Sequence, residues 1–489
     1  MATLSKIRAA KEKLGSDELY ASRVRVYPRA VHGMARRIKW AVLIVCLAVF
    51  YVLPWIRWNR GPGRPSQAVL LDLQAERFHF FNLEFWPQDI YFLTGLLILG
   101  AVLLFLVTSL LGRVWCGYAC PQTAWTDLLM WVERLFEGDR NERMRRDSQP
   151  LSFDKAWRKV GKHAVWLGIA FWTGGAWIMY YVDAPTVTRQ FWGGTASMPV
   201  YGFTFLFTTT TYVLAGWARE QVCTYMCPWP RFQASMLDEQ SIVVTYQAWR
   251  GEKRGRGKRT PEARALKQLG DCIDCKACVY ACPTGVDIRD GVQLECINCG
   301  LCIDACNEIM EKTGQEKWLI TWDTLARQRA KEAGRHETLH LLRPRTLIYV
   351  GALFVAVSAM GVALAMRSHV NLSVQHDRAP LFVKMRDGSL RNGYTLKIAN
   401  KANVSAEYEL SLAGMPGAAM AVAEEGEGRV PRLTLNVAPD SVGTFRVLVF
   451  GEPQRLTDGS QQVDFDMRNS ATGELTSYHS IFLGPGGRR

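Results

Sequence analysis

Eight of the 13 cysteines fall into two runs that have the spacing of iron–sulfur ligands. Residues 272–283 read CIDCKACVYACP and residues 296–306 read CINCGLCIDAC, so each run has the pattern C-x2-C-x2-C-x3-C. In this pattern three closely spaced thiolates bind one [4Fe–4S] cluster, and the fourth cysteine reaches the other cluster. The spacing therefore predicts one cluster on Cys272, Cys275, Cys278 and Cys306, and a second cluster on Cys282, Cys296, Cys299 and Cys302.

Zinc is the alternative metal for paired C-x2-C motifs. A zinc site does not need eight cysteines in two copies of this longer pattern, and the spacing therefore favours clusters over zinc. Two clusters in one small domain imply one-electron transfer as the activity.

Four more cysteines lie in a hexapeptide, C-x-Y-x-C-P, that occurs twice. The chain reads CGYACP at 116–121 and CTYMCP at 223–228. If the preceding helices continue to the prolines, the two thiols of each motif share a helix face, and each helix ends at its second cysteine. A disulfide within a pair is not expected, because Cβ atoms four residues apart on a helix are separated by about 5–6 Å, whereas a disulfide needs about 3.5–4.5 Å.

The two hexapeptides together could present four soft thiolates, which suit Cu(I), zinc or another iron–sulfur centre. The candidate metal or redox-relay residues are Cys116, Cys120, Cys223 and Cys227. Packing as small apolar side chains is the alternative for these cysteines, but the repetition of the motif favours a ligand or redox role. Met226 and Met236 could add thioether ligands, although packing is the simpler role for both. Tyr118 and Tyr225 are expected to be interface aromatics, or to form hydrogen bonds around the site.

The elements that must position these cysteines include five apolar segments. Each segment is close to the roughly 20 residues that a helix needs to cross a membrane. They lie at about residues 38–55, 90–112, 164–182, 199–218 and 346–365. Spans two and four would lead directly into the two hexapeptides.

Lysine and arginine are concentrated in the N-terminal segment, in the loop between spans two and three, and between spans four and five. The positive-inside rule places these three segments in the cytoplasm. An odd number of spans then puts the C-terminus in the periplasm, and the protein is expected in the bacterial inner membrane. The net charge of +14 follows from the same flanking residues, so no nucleic-acid partner is expected.

The predicted fold class is a multi-domain protein. It combines an α-helical membrane bundle of five spans, an inserted bacterial two-[4Fe–4S] ferredoxin-like domain and a C-terminal all-β immunoglobulin-like sandwich. The sandwich is indicated by seven or eight short alternating runs separated by turn residues. The predicted parts are a basic N-terminal segment at 1–37, spans one to four within 38–250, the ferredoxin-like domain at 251–343, the fifth span at 346–365 and the sandwich at 371–489.

This order of elements resembles the CcoG/FixG/RdxA family, the accessory proteins of cbb3-type cytochrome c oxidase. The segments PTGVDIRDGVQLECINCGLCIDAC at 283–306 and LLRPRTLIY at 341–349 are similar to the sequences of that family, and the resemblance covers nearly the whole chain. It implies a part in oxidase assembly, with reduction of Cu(II) to Cu(I) for copper delivery. Its implied partners are oxidase assembly factors or copper chaperones, and an electron donor that the sequence does not identify. As a hypothesis, the four hexapeptide cysteines bind the copper or pass the electron to it.

Two other functions stay open at this stage. The first is a membrane electron conduit that takes electrons from quinol or a soluble donor to a respiratory reductase. The second is a membrane iron–sulfur redox sensor, which would not be an enzyme.

Overall fold

The computed structural model describes residues 25–485, except residues 62, 256–267, 369, 403, 424–427 and 453–458. The chain divides into two compact units, residues 1–360 and residues 361–489. The N-terminal unit carries every cysteine, and the C-terminal unit carries none.

Three helices in the described part of the chain are long and apolar enough to cross a membrane. They are α1 (Met34–Val52, extended by a short 3-10 turn to Trp55), α2 (Ile90–Leu111) and α13 (Pro344–Ala365). These helices coincide with the first, second and fifth predicted spans. The structure therefore supports three spans and association with a membrane.

The third and fourth predicted spans lie on helices of a different character. Helix α5 (Phe153–Ile178) begins 11 residues before the predicted span and carries several lysines and arginines in its first half. Helix α7 (Met198–Thr211) is short and continues as a π-helix, Tyr212–Ala218. The two helices pack closely at Gly174, where a Cβ atom would lie 2.7 Å from the carbonyl oxygen of Thr204. Helix α5 carries charged residues and helix α7 gives way to a π-helix, and both features distinguish them from the three long apolar helices. Spans three and four therefore stay predictions.

Shorter elements connect the long helices. The loop after α1 holds a three-stranded antiparallel sheet that the sequence did not predict, with strands β1 (Val69–Asp72), β2 (Arg77–Phe80) and β3 (Leu83–Phe85). Four helices flank the hexapeptides and α5, namely α3 (Pro121–Glu137), α4 (Arg140–Ser148), α6 (Ala184–Trp192) and α8 (Trp229–Met236).

The two cysteine runs lie beside a small antiparallel sheet. Strand β4 (Val243–Tyr246) pairs with β5 (Ile320–Asp323), and the short helix α9 (Ala248–Gly251) follows β4. Each cysteine run contains the start of one helix, α10 (Ala277–Ala281) or α11 (Leu301–Lys312), and α12 (Leu325–Glu332) follows β5. Strand β4, which precedes residue 251, is thus paired with a strand that follows both cysteine runs. The predicted domain boundary at residue 251 stays a prediction.

The C-terminal unit is a sandwich of nine strands. One sheet has the order β10-β12-β8-β6, with β7 paired to β8, and the other has the order β11-β9-β13-β14. The strands are β6 (Val370–His376), β7 (Val383–Lys384), β8 (Leu390–Asn400), β9 (Ala406–Ala413), β10 (Ala419–Val422), β11 (Arg432–Val437), β12 (Ser441–Gly451), β13 (Ser460–Asn469) and β14 (Leu475–Leu483). Alternate residues of β8 are buried, among them Tyr394, Leu396 and Ile398. The sandwich is confirmed, and it has nine strands where the sequence predicted seven or eight.

Candidate iron–sulfur centres and the thiols beside them

The eight cysteines of the two runs surround two separate cavities. The first cavity is lined by Cys272, Cys275, Cys278 and Cys306, together with Tyr246 and Met310. The second cavity is lined by Cys282, Cys296, Cys299 and Cys302, together with Val244 and Ile288. We call these the first centre and the second centre. The structure thus groups the thiols in space as the spacing predicts, with the last cysteine of each run at the other run's cavity.

Both runs achieve this through the same backbone shape. Asp274 and Lys276 in the first run, and Asn298 and Gly300 at the matching positions of the second, all have φ between 50° and 73°. Asp, Asn and Gly are among the residues that adopt this left-handed region most readily. Gly300 has a further reason to be glycine, because a Cβ atom there would overlap the ring of Trp322. The repeated left-handed turns make each run a concave loop, which is the shape that holds an anionic group against backbone N–H groups.

The donor set fits iron–sulfur clusters. Each centre offers four thiols in a mostly apolar cavity, and burial raises the pKa of Cys278 and of Cys296 to about 12. Such thiols become thiolates only when a metal replaces their protons. Among the described residues, no three or more His, Cys, Asp or Glu side chains converge on a single metal ion. A cubane does not require such convergence, since each of its four cysteines binds a different iron atom.

The two centres are neighbours. Burial raises the pKa of Cys302 well above its ordinary value, and the charges of Cys299, Cys296, Cys282 and Cys278 raise it further. Cys278 belongs to the first centre, so its charge reaches across to the second. Helices α10 and α11 also bury Ala277, Ala281 and Leu301 in one core, which holds the two centres together.

The hexapeptides do not continue the helices before them, which corrects the expectation that each cysteine pair lies on one α-helical face. Helix α2 ends at Leu111, because Gly112 adopts a left-handed φ of 62°. Cys116 then lies in a π-helical turn, Trp115–Ala119, and Cys120 is extended. Pro121 begins the next helix, a position where its missing N–H costs nothing.

The second hexapeptide repeats this geometry. Its first cysteine lies in a π-helical turn, Val222–Met226, and Cys227 is extended. The backbone N–H of Cys227 donates to the carbonyl oxygen of Val222 at 2.7 Å, and that of Cys120 donates to Trp115 in the same way at 2.8 Å. The two motifs are therefore structural repeats as well as sequence repeats.

The thiols of the two hexapeptides lie within electrostatic range of one another, and we call this group of four thiols the thiol site. Burial and the charges of Cys120, Cys223 and Cys227 raise the pKa of Cys116 to about 12. Burial and the charges of Cys120, Cys227 and Glu220 raise the pKa of Cys223 to about 11. Each thiol therefore lies within electrostatic range of the other motif. The Sγ of Cys116 donates a hydrogen bond to Oε1 of Gln233 at 3.0 Å.

The first hexapeptide packs directly against the second centre. The hydroxyl of Tyr118 donates to the carbonyl oxygen of Cys299 at 3.0 Å. A Cβ atom at Gly117 would lie 2.6 Å from the carbonyl oxygen of Ile297. Cys116 and Cys299 are also buried in the same apolar core. The thiol site and the second centre are therefore adjacent.

Two residues that sequence reasoning missed complete this contact. Arg113 donates to the carbonyl oxygens of Leu294 and Cys296. The Nδ2 of Asn298 donates to the carbonyl oxygen of Leu111 at 3.0 Å. Neither residue belongs to a motif of its own. The only sequence signal was that Arg113 follows an apolar span and Asn298 lies between two cysteines.

The two tyrosines of the hexapeptides have different environments. Tyr118 is buried and bonded to Cys299, whereas Tyr225 is 73% exposed, as an interface aromatic would be. The methionines do not complete the thiol site. Met226 is largely exposed, and the Sδ of Met236 accepts hydrogen bonds from Arg345 and Tyr349 at 3.4 Å each.

Apolar helices, two cavities of four thiols and a separate sandwich define a membrane-associated iron–sulfur protein. Comparison with protein-family models agrees with this class. Residues 218–325 match a 4Fe-4S dicluster domain, and residues 93–138 match a 4Fe-4S binding domain. Residues 360–485 match the model described as an IG-like fold at the C-terminus of FixG.

Known relatives identify the family. The chain is 44% identical to nitrogen fixation protein FixG of Rhizobium meliloti (strain 1021), over 96% of this chain and 94% of that protein. It is also 44% identical to protein RdxB of Cereibacter sphaeroides, over 96% of this chain and 98% of that protein. Protein RdxA of the same organism is 44% identical over 82% of this chain and 85% of its own length. The chain belongs to the FixG/RdxA/RdxB family, and the resemblance drawn from the sequence is confirmed. Among solved structures, a FixG-related protein from Vibrio parahaemolyticus matches 24% of this chain and 98% of its own, at 22% identity and a TM-score of 0.21.

Proposed function

We propose that this protein passes single electrons from its two iron–sulfur centres to the thiol site, where Cu(II) is reduced to Cu(I) for assembly of a cbb3-type oxidase. The observation that carries the proposal is the adjacency of the thiol site to the second centre, made by Tyr118 and Gly117 on Cys299 and Ile297. Thiolates are the ligands that Cu(I) prefers, so a site of four thiols favours the reduced product.

The ligands follow from the two cavities. Cys272, Cys275, Cys278 and Cys306 would hold one [4Fe–4S] cluster, and Cys282, Cys296, Cys299 and Cys302 the other. When bound, the clusters supply one-electron transfer, so each Cu(II) ion that becomes Cu(I) takes one electron, which a low-potential donor must replace. Within the chain, Tyr118 and Arg113 hold the thiol site against the second centre, and Gln233 accepts a hydrogen bond from the Cys116 thiol until a metal displaces its proton.

The proposed placement is in the bacterial inner membrane, with five spans. The basic segments that flank the apolar helices put the N-terminus, both centres and the thiol site on the cytoplasmic side, and the sandwich in the periplasm. Reporter fusions test this arrangement. A periplasmic reporter should be active after residue 489 and inactive after residue 250, and the reverse pattern would contradict it.

A third iron–sulfur centre on the four hexapeptide thiols is a second candidate for the thiol site. It is favoured by the match of residues 93–138, which contain Cys116 and Cys120, to a 4Fe-4S binding domain. Iron analysis separates the two candidates. Two clusters require about eight iron atoms per chain, and a third would bring the count to about twelve.

The experiment that tests the function compares two substrates. The protein, purified without oxygen and supplied with an artificial low-potential donor, is given Cu(II) and a Cu(I)-specific chelator. In a parallel reaction, oxidised protein is given a quinol. Catalytic Cu(I) formation without quinol oxidation supports the proposal. Quinol oxidation without Cu(I) formation moves the function to an electron conduit, and a single stoichiometric oxidation without turnover moves it to a redox sensor.

A further inference from the structure

Lys39 is a buried cation beside the second centre. It lies in the second turn of α1, and its side chain is 2% exposed. Its Nζ lies 3.8 Å from Oδ2 of Asp127, which is beyond hydrogen-bonding distance, and no residue in the described part of the chain accepts a hydrogen bond from it. A buried ammonium with so little direct compensation is costly, so its charge needs an explanation.

Asp127 does not neutralise Lys39, because it already has a stronger partner. Both carboxylate oxygens of Asp127 accept hydrogen bonds from Nη1 of Arg36, at 2.9 and 2.8 Å. Arg134 adds another positive charge within range of the same carboxylate. Two further carboxylates lie near these cations, because Asp304 accepts hydrogen bonds from the backbone N–H groups of Ala35 and Arg36 and Asp139 is within range of Arg134. In the described part of the chain, neither of them forms an ion pair with Lys39.

Lys39 faces the second centre and the thiol site together. It lines a cavity whose wall also contains Cys223, the second-centre residue Ile297, and Pro283 and Thr284, which follow Cys282. Arg219 and Glu220 complete the charged part of the wall, and Arg219 is paired with Glu133 at 2.8 Å.

We propose that Lys39 is the electrostatic tuning residue of the second centre, raising its reduction potential and stabilising an electron at the junction with the thiol site. An electron added to a cluster is an added negative charge, so a fixed cation nearby stabilises the reduced form. A unit charge at about 10 Å, in surroundings of effective dielectric constant near 20, changes such an equilibrium about tenfold. The inference rests on the proposed function only in assigning a cluster to the second centre, and copper plays no part in it.

The test is an anaerobic redox titration of the purified full-length protein, followed by electron paramagnetic resonance in the absence of copper. Lys39→Met removes the charge and keeps the length of the side chain. At the midpoint potential of the wild-type second centre, the ratio of reduced to oxidised cluster should fall about tenfold in this variant. Lys39→Arg should restore the wild-type ratio, and the first centre should shift much less.

Two further variants separate tuning from structural damage. Lys162→Met removes another buried lysine, which is paired with Glu137 at 2.8 Å, and it should leave both midpoints unchanged. Asp127→Asn removes the opposing charge and should move the second midpoint to a more positive potential. Unchanged midpoints in a Lys39→Met protein with full iron content would overturn the inference, as would equal shifts of both centres.

If the Lys39→Met protein does not retain its clusters, the Asp127→Asn variant alone tests the inference. A more positive second midpoint then supports the inference, and an unchanged or more negative one overturns it. Because no copper is present, the expected shift combined with a lack of Cu(II) reduction would refute the proposed function and leave the role of Lys39 standing.

Discussion

The hydroxyl of Tyr118 donates a hydrogen bond to the carbonyl oxygen of Cys299 at 3.0 Å. These residues are 181 positions apart, and they belong to the first hexapeptide and to the second cysteine run. Tyr118 is buried, so this bond is shielded from water. It attaches the thiol site to the loop of the second centre.

Tyr118→Phe should loosen this attachment. The substitution keeps the ring and leaves the buried Cys299 carbonyl without its donor, which should cost about 1–3 kcal/mol of stability. Loss of cluster absorbance in guanidinium should accordingly have an earlier midpoint than in wild type.

The matched control for Tyr118 is Tyr225→Phe, at the same place in the second hexapeptide. Because Tyr225 is largely exposed, its hydroxyl should contribute little, and the midpoint should stay at the wild-type value. Equal effects of the two substitutions would show that the Tyr118 bond has no special role.

Gly117 allows the closest approach between the first hexapeptide and the second centre. In Gly117→Ala the new methyl group would meet backbone atoms on the facing loop, 2.6 Å from the Ile297 oxygen and 3.1 Å from the Cys299 Cα. Backbone atoms give way less easily than a flexible side chain, so overpacking should cost about 1–3 kcal/mol. The clusters of this variant should also reduce Cu(II) more slowly than those of wild type.

Thr224 occupies the position of Gly117 in the second hexapeptide and provides the control. Its Oγ1 donates to the carbonyl oxygen of Glu220 at 2.8 Å, just before its own motif and not on the facing iron–sulfur domain. Thr224→Ala should therefore lower the stability of the protein less than Gly117→Ala does. Thermal unfolding in detergent measures both losses. The opposite order would mean that the second hexapeptide makes the critical contact.

Glu133 neutralises a group of buried cations behind the second hexapeptide. Its carboxylate lies 2.8 Å from Arg219, 3.0 Å from Arg143 and 3.6 Å from Lys162. Arg219 has a φ of 43° and precedes Cys223 by four residues. Glu133→Gln removes the carboxylate that pairs with Arg219 and Arg143, whereas Lys162 keeps Glu137. The loss should cost about 3–5 kcal/mol, and Cys223 should then react faster with iodoacetamide.

The control for Glu133 is Asp154→Asn, because Asp154 forms an exposed pair with Arg158 one helical turn away. Such pairs contribute about 0.3–0.5 kcal/mol, so this variant should match wild type.

The pH dependence of the Glu133 contribution follows from its pKa. Neighbouring Arg219 and Arg143 hold the pKa of Glu133 at about 2, below its ordinary 4.5, against the effect of burial. The stabilisation is therefore complete above the unfolded value and is lost only as the pH falls towards 2. The stability difference between wild type and Glu133→Gln should stay constant from about pH 6 to pH 8. A difference that shrinks across this range would contradict the ion pairs.

The cysteine runs were predictable because their chemistry is local. The spacing within 272–306 determines which thiols can reach which cavity, and the structure groups them in the same way. The sandwich was predictable for a similar reason, since alternation along strands such as β8 shows directly in the sequence. The predicted number of strands was too low because short strands such as β10, with four residues, do not establish an alternating pattern.

The thiol site was only half predictable. The repeated hexapeptide identified the four cysteines, but their proximity depends on packing between segments more than 100 residues apart. The π-helical turns were missed because the preceding helices are interrupted at single residues with positive φ, Gly112 before the first hexapeptide and Arg219 before the second. Tyr118 and Tyr225 have the same place in the motif and opposite exposure, a difference that only tertiary contacts create.

The adjacency of the thiol site and the second centre is tested most directly by single-turnover kinetics. Anaerobic protein with reduced clusters is mixed with Cu(II) in a stopped-flow instrument, and cluster oxidation and Cu(I) formation are followed together. The comparison is with a variant in which four cysteines are changed to serine, namely Cys116, Cys120, Cys223 and Cys227. The iron content of the eight-cysteine domain in this variant must equal that of wild type. Wild type should react at least about tenfold faster than the variant, a barrier difference of about 1.4 kcal/mol or more. Equal rates would show that electrons leave the iron–sulfur domain by another way and would contradict a role for the thiol site in copper reduction.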